Sequence, residues 1–138
     1  MNDQLTWDSN TDFITKRAYK RMIILHNLFK FSLPMQDMMN IYILYIRSVL
    51  ESSAVVWNSS ITKAEEILIE RVQKTALKMI LADKYENYPT ALIVTGLQTL
   101  SERRTIRCKK FAKNCIKNKI IAHMLPSSAQ CQAQARLR

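Results

Sequence analysis

Apolar residues recur at helical spacing between residues 61 and 81, where they occupy an unusually wide arc of the helix surface. At about 100° per residue, one broad apolar side consists of Ile61, Ala64, Leu68, Ile69, Val72, Ala76, Met79 and Ile80. Further apolar residues on the other side are Ile67, Leu77 and Leu81. A helix with so wide an apolar surface is usually contacted from two or three directions. We therefore expect helix 61–81 to be the centre of an all-α domain.

The same periodicity predicts helices before this segment. Asp12 is a candidate N-cap for a first helix that runs to about Ser32. Pro34 favours the start of a second helix, Met35 to Leu50, which is apolar on almost every side and is therefore expected to be buried. Trp57 follows in a short apolar continuation. We interpret it as a large core residue, because a role in stacking on bases requires an exposed ring.

Two helices are predicted after the central segment. A short helix from Pro89 to Thr95 is expected to end at Gly96, since glycine readily adopts the left-handed conformation of a helix C-cap. Thr99 and Glu102 then form a T-x-x-E capping box. This motif predicts a last long helix from Leu100 to about Asn118.

Composition agrees with an all-α fold and bounds the domain. The chain has 138 residues but one glycine and three prolines, which disfavours a β-sandwich or a glycine-rich phosphate loop. We predict one thumb-like domain over residues 1–125, a bundle of about five helices around helix 61–81. Residues 126–138 have little to bury and are predicted to form a flexible, disordered tail.

Three further features bear on the compartment. The uncharged apolar runs fall short of the roughly 18–20 residues that a membrane span needs. The first residues have neither the basic start nor the apolar core of a signal peptide. Three cysteines without a CxxC pair fit a reducing compartment. We therefore expect an intracellular protein, in the nucleus or cytoplasm, without a membrane partner.

Net charge is +10 and is concentrated in the C-terminal part. Residues 1–87 hold 11 Lys/Arg and 10 Asp/Glu, a net of +1, whereas residues 88–138 hold 10 Lys/Arg and one acid, a net of +9. Such asymmetry favours an anionic partner at the C-terminal part, with nucleic acid ahead of a merely solvated basic surface.

The last long helix carries this charge on one side. Its predicted apolar face consists of Leu100, Cys108, Phe111, Ala112, Cys115 and Ile116. Its basic face consists of Arg103, Arg107, Lys109, Lys110, Lys113 and Lys117. Arg104 falls among the apolar residues, so we expect it to bond acidic or carbonyl groups of the fold rather than a ligand. Lys16 and Lys20 on the first helix are a second possible phosphate-contacting edge.

Metal and catalytic chemistry find no support in the residue pattern. The cysteines of the last helix, Cys108 and Cys115, are seven residues apart and do not by themselves make a zinc site. His26 is interpreted as a structural histidine, because no cysteine or acid lies at ligand spacing from it. We identify no nucleophile–base pair and no phosphate loop, and we predict no cofactor.

Several segments carry a further signal through their order and spacing. They are Leu5-Thr6-Trp7-Asp8, Asp12-Phe13-Ile14, Lys16-Arg17-Ala18, Lys20-Arg21-Met22, Tyr42, Ile46 to Glu51, Val55-Val56-Trp57, Ile69 to Ile80, Tyr88, Ala91-Leu92, Gly96-Leu97, Thr99-Leu100, Glu102-Arg103-Arg104, Cys108 and Phe111-Ala112. Together they resemble the helical thumb and post-thumb region of non-LTR, LINE-type or jockey-like, retrotransposon reverse transcriptases. In that family this region grips the primer–template behind the active site.

The departures from the family limit what the resemblance implies. The family's polymerase palm carries a Phe/Tyr-x-Asp-Asp turn, and no such turn is present in this sequence. Adjacent acids occur only as Glu65-Glu66, so the chain alone lacks the carboxylate pair that holds two catalytic metal ions. The resemblance therefore implies a non-catalytic C-terminal piece of an RNA-directed DNA polymerase, whose missing partner is the palm.

Three hypotheses follow from the sequence. The first is a module that binds RNA or an RNA–DNA duplex through its backbone, using Arg103, Arg107, Lys110, Lys113 and Lys117, with Lys16 and Lys20 as the second edge. The second is a helical protein-interaction module, and the third is an inert remnant of a retroelement. A remnant should expose an apolar patch where the palm would sit, to which we assign Leu5, Trp7 and Phe13.

Overall fold

A computed structural model describes residues 8–118, and within this range all regular structure is helical, with no β-strand. The predicted all-α class is confirmed. The helices in chain order are α1 (Asp8–Lys30), α2 (Met35–Ile41), a π-helical segment (Tyr42–Arg47), α3 (Ser48–Leu50), α4 (Ala54–Trp57), α5 (Lys63–Leu81), a 3₁₀ turn (Ala82–Lys84), α6 (Tyr88–Thr95) and α7 (Leu100–Lys117). The predicted domain boundary at residue 125 and the tail 126–138 lie outside the described residues.

The main layer of the fold is the packing of α1 on α5. The interior side chains of α1 recur every three or four residues, and they are Ile14, Ala18, Met22 and Leu25. From α5 the corresponding buried residues are Ile69, Val72, Ala76, Leu77, Ile80 and Leu81. Helix α5 also contacts α2, α6 and α7. Each of these contacts removes apolar surface from water, which is the main favourable term in folding.

The stretch Met35–Leu50 is a continuous helix, as predicted, but its middle is π-helical. Pro34 precedes it as the N-cap residue. Within the π-helical segment, Tyr42 and Ile46 are fully buried, so its inward side is part of the core. A π-turn holds an extra residue relative to an α-helix, and it therefore re-aims the side chains that follow.

Local signals place the ends of the other helices. Thr62 and Glu65 form a capping box at the start of α5, and Asn87 caps α6 by accepting from the Thr90 N–H. Gly96 ends α6 with φ 65°, as predicted. The first helix already includes Asp8–Thr11 and therefore extends beyond the predicted start after Asp12. Its buried side includes Thr11, which donates to Glu65 Oε1 at 3.0 Å.

A buried polar chain connects four parts of the fold through Gln73. The Gln73 side chain accepts from Tyr42 Oη at 2.6 Å and donates to Tyr88 Oη at 2.9 Å and to the Gln98 carbonyl at 3.0 Å. Tyr88 in turn donates to Glu70. Burial raises the pKa of Tyr42, and burial together with the Glu70 carboxylate raises the pKa of Tyr88. Both phenols therefore stay protonated and can donate.

We predict that Ala82→Gly stabilises the protein. Ala82 ends α5 with φ 45° and ψ −116°, a conformation that disfavours any side chain with a Cβ. Removing the Cβ should raise the free energy of unfolding by about 1 kcal/mol, measured by urea denaturation. Ala64→Gly, in the first turn of α5, is the matched control and should have the opposite sign. A loss of stability in Ala82→Gly would contradict this account of the helix end.

Candidate nucleic-acid interface

The basic helix α7 begins against two carboxylates of α5. Thr99 and Glu102 form the predicted capping box, which satisfies two of the free N–H groups of the first turn. Glu70 accepts from the Leu100 N–H at 3.1 Å, and Glu66 accepts from the Ser101 hydroxyl. Negative charge is favourable at the positive end of a helix dipole. These contacts therefore fix where α7 leaves the body of the protein.

Arg104 holds α7 to the core from within, as predicted. The side chain is fully buried, and its Nε donates to Asn58 Oδ1 at 2.9 Å. Its Nη2 lies 3.7 Å from Glu66, and the guanidinium lies 5.7 Å from the centre of the Trp57 ring. Burial lowers the pKa of Arg104, partly offset by the charge of Glu66. Arg104 is therefore a structural residue of the α7 attachment.

Glu51 pairs with three arginines, two of which are on α7. It is 5% exposed and receives Arg103 Nε at 2.6 Å and Arg107 Nη1 at 2.7 Å, while Arg47 Nε lies at 3.9 Å. Burial alone would raise the pKa of Glu51, but the hydrogen bonds and positive charges of its partners together lower it. We name these four residues the Glu51 cluster.

Two of the residues predicted to contact phosphate are thus engaged within the protein. Arg103 and Arg107 both bond Glu51, with side chains that are 30% and 54% exposed. The sequence pattern did not reveal this use, because Glu51 is 52 and 56 positions away from them in the chain. Arg107 still presents half of its surface to solvent, whereas most of Arg103 is covered.

The remaining predicted cations of α7 stand free on its outer side. Lys110, Lys113 and Lys117 are exposed, and so is the neighbouring Lys109. Within residues 8–118 none of these four side chains has an ion pair or a hydrogen bond. We name them the lysine face. At helical spacing the four side chains fall within one arc of about 100°, so they point to a common side.

The second predicted edge is on another helix. Lys16 and Lys20 are exposed on α1, and Lys16 forms an exposed pair with Asp12 at 3.4 Å. Helices α1 and α7 each pack on α5. Lys16 and Lys20 are therefore on a different helix from the lysine face.

The predicted apolar face of α7 is only partly buried. Leu100 is fully buried and Cys108 and Cys115 are half-buried, but Phe111 is 55% and Ile116 is 65% exposed. Within residues 8–118 the apolar face of α7 is thus covered mainly at its start and around the two cysteines. The reason is geometric: α4, the helix that α7 lies against, has only four residues and covers just the first part of α7.

An open groove of about 270 Å³ lies where α7 extends past α4. We name it the α7 groove, and its lining residues are Glu51, Ser53, Ala54, Val55, Arg107, Lys110, Phe111 and Asn114. Ser53 is held at φ 51° in the turn before α4, which places it at the groove wall. The groove thus borders both the Glu51 cluster and the lysine face. No local sequence signal indicates it, because its walls come from segments about 50 residues apart.

Of the three residues assigned to the palm-facing patch, Phe13 lies within the described residues. Phe13 is 60% exposed on α1, and Arg17 lies over its ring at 5.9 Å. Leu5 and Trp7, its expected neighbours, lie outside the described residues. The exposure of Phe13 agrees with an unpartnered surface on this side of α1.

Two classes of site are not formed by the described residues. Within 8–118 there is no group of three or more His, Cys, Asp or Glu that could hold a metal ion. No helix in this range has the length and apolarity to cross a membrane.

Comparison with known proteins adds no relative. The chain matches no protein-family model, no curated protein and no solved structure.

We predict that the stabilising effect of Glu51 depends on pH. Glu51→Gln removes the negative charge from three arginines and should lower the free energy of unfolding by roughly 2 kcal/mol at neutral pH. The folded-state pKa of Glu51 is lowered from 4.5. Its contribution is therefore present above that value and is lost as the pH falls through the folded pKa. The difference between the two proteins should shrink steadily in acid.

Denaturant unfolding of the wild-type chain and of Glu51→Gln, repeated from neutral pH down through the folded-state pKa of Glu51, measures this difference in stability. Glu86→Gln, which changes an exposed carboxylate in the connection before α6, is the charge-matched control and should be neutral throughout. A difference in stability between the wild-type chain and Glu51→Gln that stays constant with pH would contradict the assignment.

Proposed function

We propose that this chain is a non-catalytic module that binds the phosphate backbone of RNA or an RNA–DNA duplex through α7. The observation that carries the proposal is the lysine face: four exposed cations on one side of a helix, none of them paired within residues 8–118. Like charges held close together repel each other, and an anion bound across them would relieve that repulsion.

The dimensions of the lysine face suit a nucleic-acid backbone. Lys109 and Lys117 are eight residues apart, which is about 12 Å along a helix. A duplex carries about one phosphate per 3.4 Å along each strand, so this length faces about three phosphates of one strand. Lysine is a flexible point charge that reads no base edge. The expected binding is therefore salt-dependent and indifferent to sequence.

The origin of the module is a further part of the proposal. We propose that it corresponds to the thumb and post-thumb region of a non-LTR retrotransposon reverse transcriptase. This rests on the sequence resemblance and on the all-α class, and the exposed Phe13 is compatible with it. An intracellular location is part of the same proposal. The absence of the Phe/Tyr-x-Asp-Asp turn from the sequence supports a non-catalytic role for this chain.

A second candidate is a helical module that binds an acidic protein. The observation that favours it is the presence of apolar side chains among the lysines, since Ile106 is 52% and Ile116 is 65% exposed. An amphipathic acidic helix could cover such a mixed surface. Competition separates the two candidates: an RNA–DNA duplex and an acidic protein would each be tested for displacement of the other from the purified chain.

We predict that Lys110→Glu with Lys113→Glu weakens binding to all duplex sequences about equally. The double variant reverses two charges of the lysine face without touching the Glu51 cluster. Fluorescence anisotropy with a short labelled RNA–DNA duplex, repeated over a salt series, measures the affinity. The wild-type slope of log K against log salt should be about −3, for about three phosphates, and the variant should have a shallower slope.

The control changes the net charge by the same amount elsewhere. Lys30→Glu with Lys84→Glu reverses two exposed lysines beside the C-terminal ends of α1 and α5 and should leave most of the affinity intact. Equal losses of affinity in both double variants would show that binding depends on net charge alone and not on the position of the lysines. No binding by a helical wild-type chain at low salt would overturn the proposal and favour the acidic partner or an inert remnant.

A further inference from the structure

The α7 groove contains an arginine that is already oriented for an anion. Arg107 Nη1 is fixed by Glu51 Oε2 at 2.7 Å, and the side chain is nevertheless 54% exposed. A guanidinium has five N–H donors in a rigid fork, so one bond to Glu51 leaves others for a second partner. An arginine held by a buried carboxylate has also lost its rotamer freedom before any ligand arrives.

The charge around the groove remains positive after this pairing. Glu51 supplies one negative charge to three guanidiniums, those of Arg47, Arg103 and Arg107. Lys110 lines the same groove and is unpaired within the described part of the chain. The local surplus of cations is the electrostatic complement of a phosphate.

An exposed aromatic ring adjoins these cations. Phe111 lines the groove with 55% of its surface exposed, and Val55 lines it with 37% exposed. The ring follows Lys110 directly in the helix and lies one turn beyond Arg107. An aromatic face next to phosphate-binding cations is the combination that binds unpaired bases, because every base can stack whatever its identity.

We propose that the α7 groove binds one unpaired nucleotide, with its phosphate on Arg107 and Lys110 and its base on Phe111. This deepens the proposed function and rests on it, since the same backbone would continue along the lysine face from Lys110. Glu51 acts as a positioning residue for Arg107. The groove volume of about 270 Å³ is near the lower end of small-ligand pockets, about 300 Å³, which is compatible with a single nucleotide.

The test compares two probes that differ only in unpaired residues. One is a blunt RNA–DNA duplex, and the other is the same duplex with a short single-stranded extension. The extension should tighten binding to the wild-type chain. Phe111→Ala should lower affinity for the extended duplex by about fivefold or more and leave the blunt duplex within about twofold.

Ile116→Ala is the matched control, because it removes another exposed apolar side chain of α7, one that does not line the groove. It should leave both affinities unchanged. Circular dichroism of each variant verifies that the helices remain folded. A fluorescent base analogue in the extension gives a second readout: its emission should change on binding to the wild-type chain and not on binding to Phe111→Ala.

The possible failures are distinguishable. Blunt-duplex binding that the extension does not strengthen would overturn the groove assignment and leave the lysine-face proposal standing. Equal losses on both probes in Phe111→Ala would overturn it as well, since stacking is specific to the unpaired base. Absence of binding to either probe would overturn the lysine-face proposal and this inference together.

Discussion

The buried amide of Gln73 is the interaction on which the arrangement of the helices depends. Its three hydrogen bonds join the π-helical segment through Tyr42, α6 through Tyr88, and the connection before α7 through the Gln98 carbonyl. Buried polar groups without partners are costly, so these elements are stable only in positions where every partner is met. Apolar packing of α1 on α5 stabilises the fold, and the hydrogen bonds of the Gln73 amide select one arrangement of the elements that contact it.

The attachment of α7 follows from the same network and explains its exposed surface. Glu70 accepts from Tyr88 and from the Leu100 N–H, so the polar chain ends at the first turn of α7. Arg104 and the Glu51 cluster then secure the next two turns. Within residues 8–118, the side-chain hydrogen bonds and ion pairs that join α7 to other helices lie in its first half. Its second half, which carries the lysine face and one wall of the α7 groove, is left to solvent by the short α4.

Much of the local structure could be predicted from the sequence, because it depends on neighbouring residues. The Thr99–Glu102 capping box, the glycine end of α6 and the buried Arg104 each follow from a few positions. The Glu51 cluster, the Gln73 network and the π-helical segment could not be predicted, because each depends on residues brought together from distant parts of the chain. The lysines of the candidate site were found by helical periodicity alone. The groove beside these lysines could not be predicted, because it depends on the short length of α4 and on the left-handed conformation of Ser53.

The spacing of the lysine face has an energetic consequence for the helix itself. Lys109 with Lys113, and Lys113 with Lys117, are like charges four residues apart, and each such pair weakens a helix by about 0.2–0.5 kcal/mol. An anion that lies across them turns this repulsion into attraction. The last turns of α7 should then become harder to open when the anion is bound, by a free energy that grows with the logarithm of the anion concentration above Kd. Hydrogen exchange of the backbone amides in the last turns of α7 would therefore slow when the anion is bound.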